Sequence, residues 1–234
     1  MTLFFFAIFV PMTIDEIYKF VKLMANKENR GWIKPTEFNL LAKRSQLDLI
    51  KERVGVASQD GSQEGYRENS RFYDELYPVI TYNQGINSEA GSDDFEFPTN
   101  PQYLYFLGAR FNDREVEMLD HGDLTRRRNS ELNPPSDDFP CAIIQSGGIR
   151  MFNTGGPSVG GLLRLTYISE PADPVWAFNT VNNIEIYNAS TSTNLVLPES
   201  THKEIAHRIL AYIGVTLRES NIVEYGTTTV IEKT

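Results

Sequence analysis

The sequence predicts an α+β fold: a helical bundle drawn from the N- and C-terminal segments, with an antiparallel β-rich domain inserted between them. Three observations predict it. Residues 13–54 hold two stretches of helical apolar spacing joined by a glycine turn. Residues 199–218 hold a third such stretch with its own start signal. Between them, residues 95–198 alternate in short β-prone runs separated by Gly, Pro, Asn and Asp. The divisions are an apolar arm over 1–12, a helical hairpin over 13–56, loops over 57–94, the β-rich insert over 95–198, the last bundle helix over 199–218 and a tail over 219–234.

The first helix starts at a capping box, Thr13 with Glu16 three residues on. Ile17, Phe20, Val21 and Met24 follow as its apolar stripe. Asn26 to Gly31 makes the turn, with Gly31 free to take the left-handed conformation. Pro35 suits the first turn of the second helix, where a missing N–H costs nothing. Phe38, Leu41, Ala42, Ser45 and Leu49 line one face, widened by Leu40, Leu47, Ile50 and Val54, so more than one neighbour is needed to cover it.

Residues 57–69 and 81–94 read as polar loops around the ambiguous stretch 70–80. Phe95 to Phe97, Gln102 to Phe106 and Glu115 to Met118 read as strands, the last after a turn at Phe111 to Arg114. Asp120 to Leu132 reads as a short helix carrying the one basic cluster, Arg126 to Arg128, with a solvated face as its reading. Cys141 to Gln145 pairs with Ile149 to Phe152 across Ser146-Gly147-Gly148. Leu163, Leu165 and Tyr167 alternate with Arg164 and Thr166 as a half-buried strand. Ile184 and Ile186 on one side, and Leu195 to Leu197 on the other, flank a polar turn at Asn188 to Thr193 as a last strand pair. A second capping box, Thr201 with Glu204, opens the final helix, whose stripe is Ile205, Ile209, Tyr212, Ile213 and Leu217.

The chemistry of small sites is sparse. Asn26 to Glu37 has the outline of an EF-hand loop, with Gly31 sixth, Ile33 eighth and Glu37 twelfth. Asn26 replaces the usual first Asp, however, and Arg30 and Lys34 put two cations where ligands to calcium belong. A plain helix–turn–helix is the reading taken. His202 and His207 lie five apart on a helix and point away from each other, which is no metal pair, and His121 stands alone in sequence. Cys141 falls inside a strand, and as a lone cysteine it excludes an intramolecular disulfide. Thr154 to Gly161 lacks the Lys-Ser/Thr of a phosphate loop. Asp93-Asp94 and Asp137-Asp138 sit in loops as solvated acids. No catalytic, cofactor-binding or metal-binding residue is assigned, and an enzyme is not expected.

A net charge of −9 on 234 residues argues against a surface that grips phosphate. The hydrophobic content of 41% and charged content of 23% are those of an ordinary globular chain. The run Leu3 to Val10 is eight apolar residues, too short to span a bilayer and without the flanks of a signal peptide. Two readings of it stand: a β-prone arm that packs on a neighbouring subunit, or an extension ahead of a natural start at Met12. The tail holds β-prone Thr228 to Ile231, so at least one end is expected to be ordered by another chain.

Five segments carry a family resemblance: NKENRGWIKPTEFNLLAKRSQLDLI, FPTNPQYLYFLGARF, LNPPSDDFP with GGIRMF, LRLTYISEPADPVW, and LPESTHKEIAHRILAYIGVTL. Together, over most of residues 12–218, they resemble the structural ring proteins that stack below the portal of crAss-like short-tailed bacteriophages, and more broadly podovirus head-to-tail adaptors. The resemblance implies a virion protein forming a ring of about twelve identical subunits. Its implied partners are itself, the portal protein, other tail ring proteins and, without sequence recognition, the DNA leaving through the channel; no membrane is implied. It also implies assembly in the bacterial cytoplasm. Two other classes stand beside it. A tail, baseplate or carbohydrate-binding β module would expose aromatics around Tyr103, Tyr105 and Trp176, which are expected instead in the core or an interface. A calcium-binding protein would use Asn26 to Glu37.

Overall fold

A computed structural model of the chain describes residues 12–27, 33–57, 72–88, 94–145, 147–153, 162–182 and 184–217. These residues form a mixed α+β structure whose sheets are mostly antiparallel. They divide into two compact units, Met1–Pro78 with Pro171–Thr234, and Val79–Glu170. The apolar arm, the turn of the helical hairpin at 28–32, the loop at 58–71, the glycine-rich stretch 154–161 and the tail lie outside the described residues.

The first unit contains α1 (Ile14–Lys27), α2 (Pro35–Ala57) and, from the other end of the sequence, α4 (Glu199–Leu217), which packs on both. The first capping box forms as read: the Thr13 N–H donates to Glu16 Oε2 at 2.8 Å, and the Glu16 N–H donates to Thr13 Oγ1 at 3.3 Å. At α2 the same device recurs, the Lys34 N–H donating to Glu37 Oε2. The buried stripe of α1 is Ile14, Ile17, Tyr18, Val21 and Ala25, a few tens of degrees around from the expected one, with Phe20 and Met24 only half-buried. Buried α2 residues are Phe38, Ala42, Ser45, Gln46, Leu49 and Ile50, while Leu40 is exposed. Ile205, Ile209, Leu210 and Ile213 of α4 close the interior. The second capping box does not form. The helix begins at Glu199, Thr201 Oγ1 donates to the Pro198 carbonyl, and Glu204 is taken by Arg53 and Arg208.

Two more elements complete this unit, β9 (Phe178–Val181) and β10 (Ile184–Tyr187), an antiparallel hairpin. The strand pair expected across Asn188 to Thr193 is therefore displaced. Ile184 and Ile186 pair backwards onto 178–181, and Leu195 and Leu197 are buried as irregular chain. A short apolar run shows only that a segment is covered, and here helix side chains cover it.

The second unit holds two four-stranded sheets. The strands are β1 (Ile80–Ile86), β2 (Asp94–Glu96), β3 (Tyr103–Phe111), β4 (Arg114–Glu115), β5 (Glu117–Met118), β6 (Cys141–Gln145), β7 (Gly148–Phe152) and β8 (Leu163–Ser169), with α3 (His121–Arg128) between β5 and β6. Their orders are β1-β8-β3-β4 and β2-β7-β6-β5, and only the β5–β6 pairing is parallel. Phe111, Leu163, Leu165 and Tyr167 from one sheet and Phe95, Ile149 and Met151 from the other share one core. Asn112 and Asp113 turn β3 into β4 with φ of 49° and 64°, the signs a tight primed hairpin turn requires. At Val116, whose N–H donates to the Ala109 carbonyl, the chain leaves the first sheet and joins the second. Gly148 is dictated by β2: a Cβ there would stand 2.2 Å from the Phe95 carbonyl oxygen.

In the ambiguous stretch 70–80, residues 72–76 are helical, and where a loop is expected over 81–94, Ile80–Ile86 is a strand. Asn83 and Gly85 interrupt its β-prone residues, and the register slips between Thr81 and Gln84, where Asn83 has φ 49°. Pairing with β8 compensates, aided by the Tyr167 hydroxyl, which donates to Gln84 Oε1 at 2.6 Å.

Candidate interaction surface

Trp176 organises a surface within the first unit. Asn39 of α2 holds its backbone from both sides, Oδ1 accepting from the Trp176 N–H at 2.8 Å and Nδ2 donating to its carbonyl at 3.3 Å. A side-chain amide thus does the work of a neighbouring strand. The indole Nε1–H donates to Asp15 Oδ1 at 3.0 Å. Asp15 in turn pairs with Lys19 at 2.6 Å, one turn along α1. Tyr18 lies on the indole with ring centroids 4.3 Å apart, and Phe178 and Tyr187 stack at 5.8 and 5.7 Å. These contacts use the amphipathic character of Trp and Tyr, with ring faces buried and one polar atom satisfied.

Beside this cluster runs an open groove of about 670 Å³ between α1 and β10, lined by Tyr18, Lys19, Lys22, Trp176, Ile186 and Tyr187 among others. Burial, and then the charge of Glu185, push the Tyr18 phenol up to about 12, so it is a neutral hydrogen-bond donor. Its hydroxyl donates to the Ile33 carbonyl at 3.3 Å. Tyr18, Trp176 and Tyr187 are the uncharged aromatic part of the lining. The charged part is Asp15, Lys19, Lys22 and Glu185, and the hydrogen bond that Lys19 donates to Asp15 pushes its ammonium up. Ile184, Ile186 and Val181 of the hairpin are exposed by 65, 50 and 50%. This arrangement offers apolar contact and backbone pairing.

The residues singled out in the sequence fall as follows. Trp176 is buried in this cluster, Tyr103 stacks on Phe97 at 3.8 Å in the second unit, and Tyr105 is half-buried. Cys141 is fully buried under α3, and burial pushes its thiol up. Both ring nitrogens of His202 face carbonyl oxygens, Nδ1 3.0 Å from Met12 and Nε2 2.9 Å from Leu197, and tie the entry of α1 to the segment before α4. His207 lies edge-on to Phe20, and His121 opens α3. In the basic cluster, Arg126 pairs with Asp123, Arg127 with Glu117, and Arg128 lies over Phe152. Glu37 of the EF-hand-like stretch caps α2, and 28–32 of that stretch lie outside the described residues. Among the described residues, no three His, Cys, Asp or Glu side chains are grouped to hold a metal ion, and no helix is long and apolar enough to cross a membrane.

Sequence reasoning passed over Asn39, Tyr18 and Tyr187. The available signal was Tyr18 at three and seven residues before Val21 and Ala25, which places a ring on the buried side of α1. Nothing in the sequence marks Asn39 as the partner of residue 176. No protein-family model matches this chain, and no curated protein sequence matches it.

Proposed function

We propose that the chain is a structural subunit of a head-to-tail connector: a ring below the portal of a crAss-like short-tailed phage, joining portal to tail and enclosing the channel through which DNA leaves. On this reading the protein resides in the virion, assembles in the bacterial cytoplasm and makes its functional contacts with copies of itself, the portal and neighbouring rings.

The observation that carries the reading is the way the chain is divided. Helices from residues 14–57 and 199–217 pack together, while residues 79–170 form a separate compact unit between them in sequence. This division supports reading the chain as a helical bundle bearing an inserted β-rich domain, the architecture of the resembled adaptors. The exposed apolar hairpin beside Trp176 gives a face for lateral contact. The acidic balance, −9 overall, suits a wall past which phosphates must slide without sticking.

The test is the mass and symmetry of the purified chain. Light scattering combined with averaged electron micrographs should show closed rings of about twelve copies, alone or seeded by portal. A chain that stays monomeric at high concentration in the presence of portal would sink the proposal.

A further inference from the structure

We propose that the groove between α1 and β10 receives the apolar arm, Leu3–Val10, of a second copy of this chain. The inference rests on the reading that copies of the chain stand side by side.

The hairpin carries apolar side chains on both faces. Its cross-strand pair Phe178 and Tyr187 stacks on Trp176. The opposite face carries Val181 and Ile184, also directly paired, and Ile186, all at least half exposed. A two-stranded ribbon facing water normally puts polar residues there. Furthermore, β10 has β9 on one side and, among the described residues, no strand on the other. A groove beside a free strand edge is suited to an extended segment that pairs through its backbone and fills the space with side chains.

The arm has that chemistry. Leu-Phe-Phe-Phe-Ala-Ile-Phe-Val carries no charge and no polar side chain. A strand covered on both faces reads as just such an unbroken apolar run. Meanwhile the charged groups at the groove, Asp15, Lys19, Lys22 and Glu185, are two of each sign, and Asp15 pairs with Lys19.

Hydrogen bonding at the start of α1 favours a neighbour's groove over the chain's own. To lie along α1, the arm would have to reverse between Val10 and Thr13. The bond that often closes such a turn would run from the Thr13 N–H to the Val10 carbonyl. That N–H already donates to Glu16 at 2.8 Å, and the next, of Ile14, donates to Asn194 Oδ1 at 2.9 Å. An arm of eleven extended residues reaches roughly 36 Å, enough to arrive at an adjacent copy.

The experiment mixes two full-length chains, one carrying Phe6→Cys and the other Ile186→Cys, under mild oxidation; Cys141 is buried and stays in place. A disulfide-linked heterodimer is expected from the mixture. Phe9→Asp in the arm should lower its yield about tenfold or more, because a charge would enter the groove. Leu132→Cys, at a residue 98% exposed elsewhere on the chain, should give no such link with the arm. Equal linkage at Leu132→Cys overturns the inference. So does a chain carrying both Phe6→Cys and Ile186→Cys that closes on itself as a monomer. Rings that assemble without the cross-link overturn this inference and leave the connector reading standing. Cross-linked pairs that never close into rings support the groove assignment and count against the connector.

Discussion

The two units of this protein are held together by different means. In the unit of residues 79–170, backbone ladders join strands over an apolar core, and ion pairs such as Arg150 with Asp94, Arg164 with Asp113 and Arg114 with Asp138 are exposed. Exposed pairs of this kind contribute little. In the other unit, side chains carry the long-range connections. Asn39 holds Trp176, Asn194 holds Ile14, and Gln46 bridges the Ala172 carbonyl and the Val196 N–H. Arg53 and Arg208 sit among Glu52, Glu75 and Glu204, and the Tyr212 hydroxyl donates to Asp48. The difference has a physical cause. Residues 171–198 lie against helices, and a helix has no free backbone groups along its sides, so irregular chain placed there must be satisfied by side chains. A sheet offers its own backbone and leaves its side chains to the core.

The comparison can be broken at four places. The largest effect is expected from Ile209→Asp, which puts a carboxylate where exposure is 0%. About 4 kcal/mol or more should be lost, enough to unfold the helical unit. Hydrogen exchange should show residues 79–170 still protected if that unit stands on its own ladders; loss of protection there would end the distinction.

Next is Arg53→Met. It leaves Glu75 and Glu204, both nearly buried, without this guanidinium, at a cost of about 3 kcal/mol. Adding Glu75→Gln should restore part of that loss. A double variant no more stable than the single one, by denaturant midpoint, would show that the network does not act through charge.

Gly148→Ala tests the sheet side. The new methyl would meet the Phe95 carbonyl, so β2 must move off β7 at a cost of about 2 kcal/mol. Amides of Asp94–Glu96 should exchange faster while the helical unit melts unchanged.

The smallest effect belongs to Asp94. Hydrogen bonding and charge from Arg150 hold its carboxyl below the usual range, with a further hydrogen bond from Gln145. A depressed carboxyl stabilises the fold above its unfolded value, near 3.9, and that contribution is lost as pH falls through the folded value. The group is largely exposed, so about 0.5 kcal/mol or less is expected. Asp94→Asn should flatten the stability profile below pH ~4 by that amount and leave α2 and α4 untouched. An unchanged acid limb would remove Asp94 from the account.

What was legible follows the same division. The hairpin Cys141–Gln145 with Gly148–Phe152, the turn at Asn112-Asp113 and the half-buried strand Leu163–Ser169 were readable because strand alternation and turn chemistry are local. The strand Ile80–Ile86 was not, because Asn83 and Gly85 break its alternation and pairing with β8 carries it across the bulge. The hairpin at 178–187 was misplaced because Asn188 to Thr193 carries the stronger turn composition, while the observed turn at Asn182 takes φ 52° from an ordinary-looking Val-Asn-Asn. Of the Trp176 surface, the sequence showed the tryptophan and the aromatic richness, and neither Asn39 nor Tyr18 as its partners.

By itself the sequence determined that this is an α+β chain, where its three long helices lie, how the first of them is capped, and that its balance is acidic. Each of those depends on residues within a turn or two of one another, or on a simple sum. Only the tertiary structure decided that Thr201 and Glu204 part company, one to Pro198 and the other to two arginines, and that Gly148 must be bare to let Phe95 approach. It likewise placed Trp176 between Asn39 and Asp15. Those choices turn on groups more than a hundred residues away in several cases, and the free energy that settles them comes from satisfying buried polar atoms, which no local pattern records.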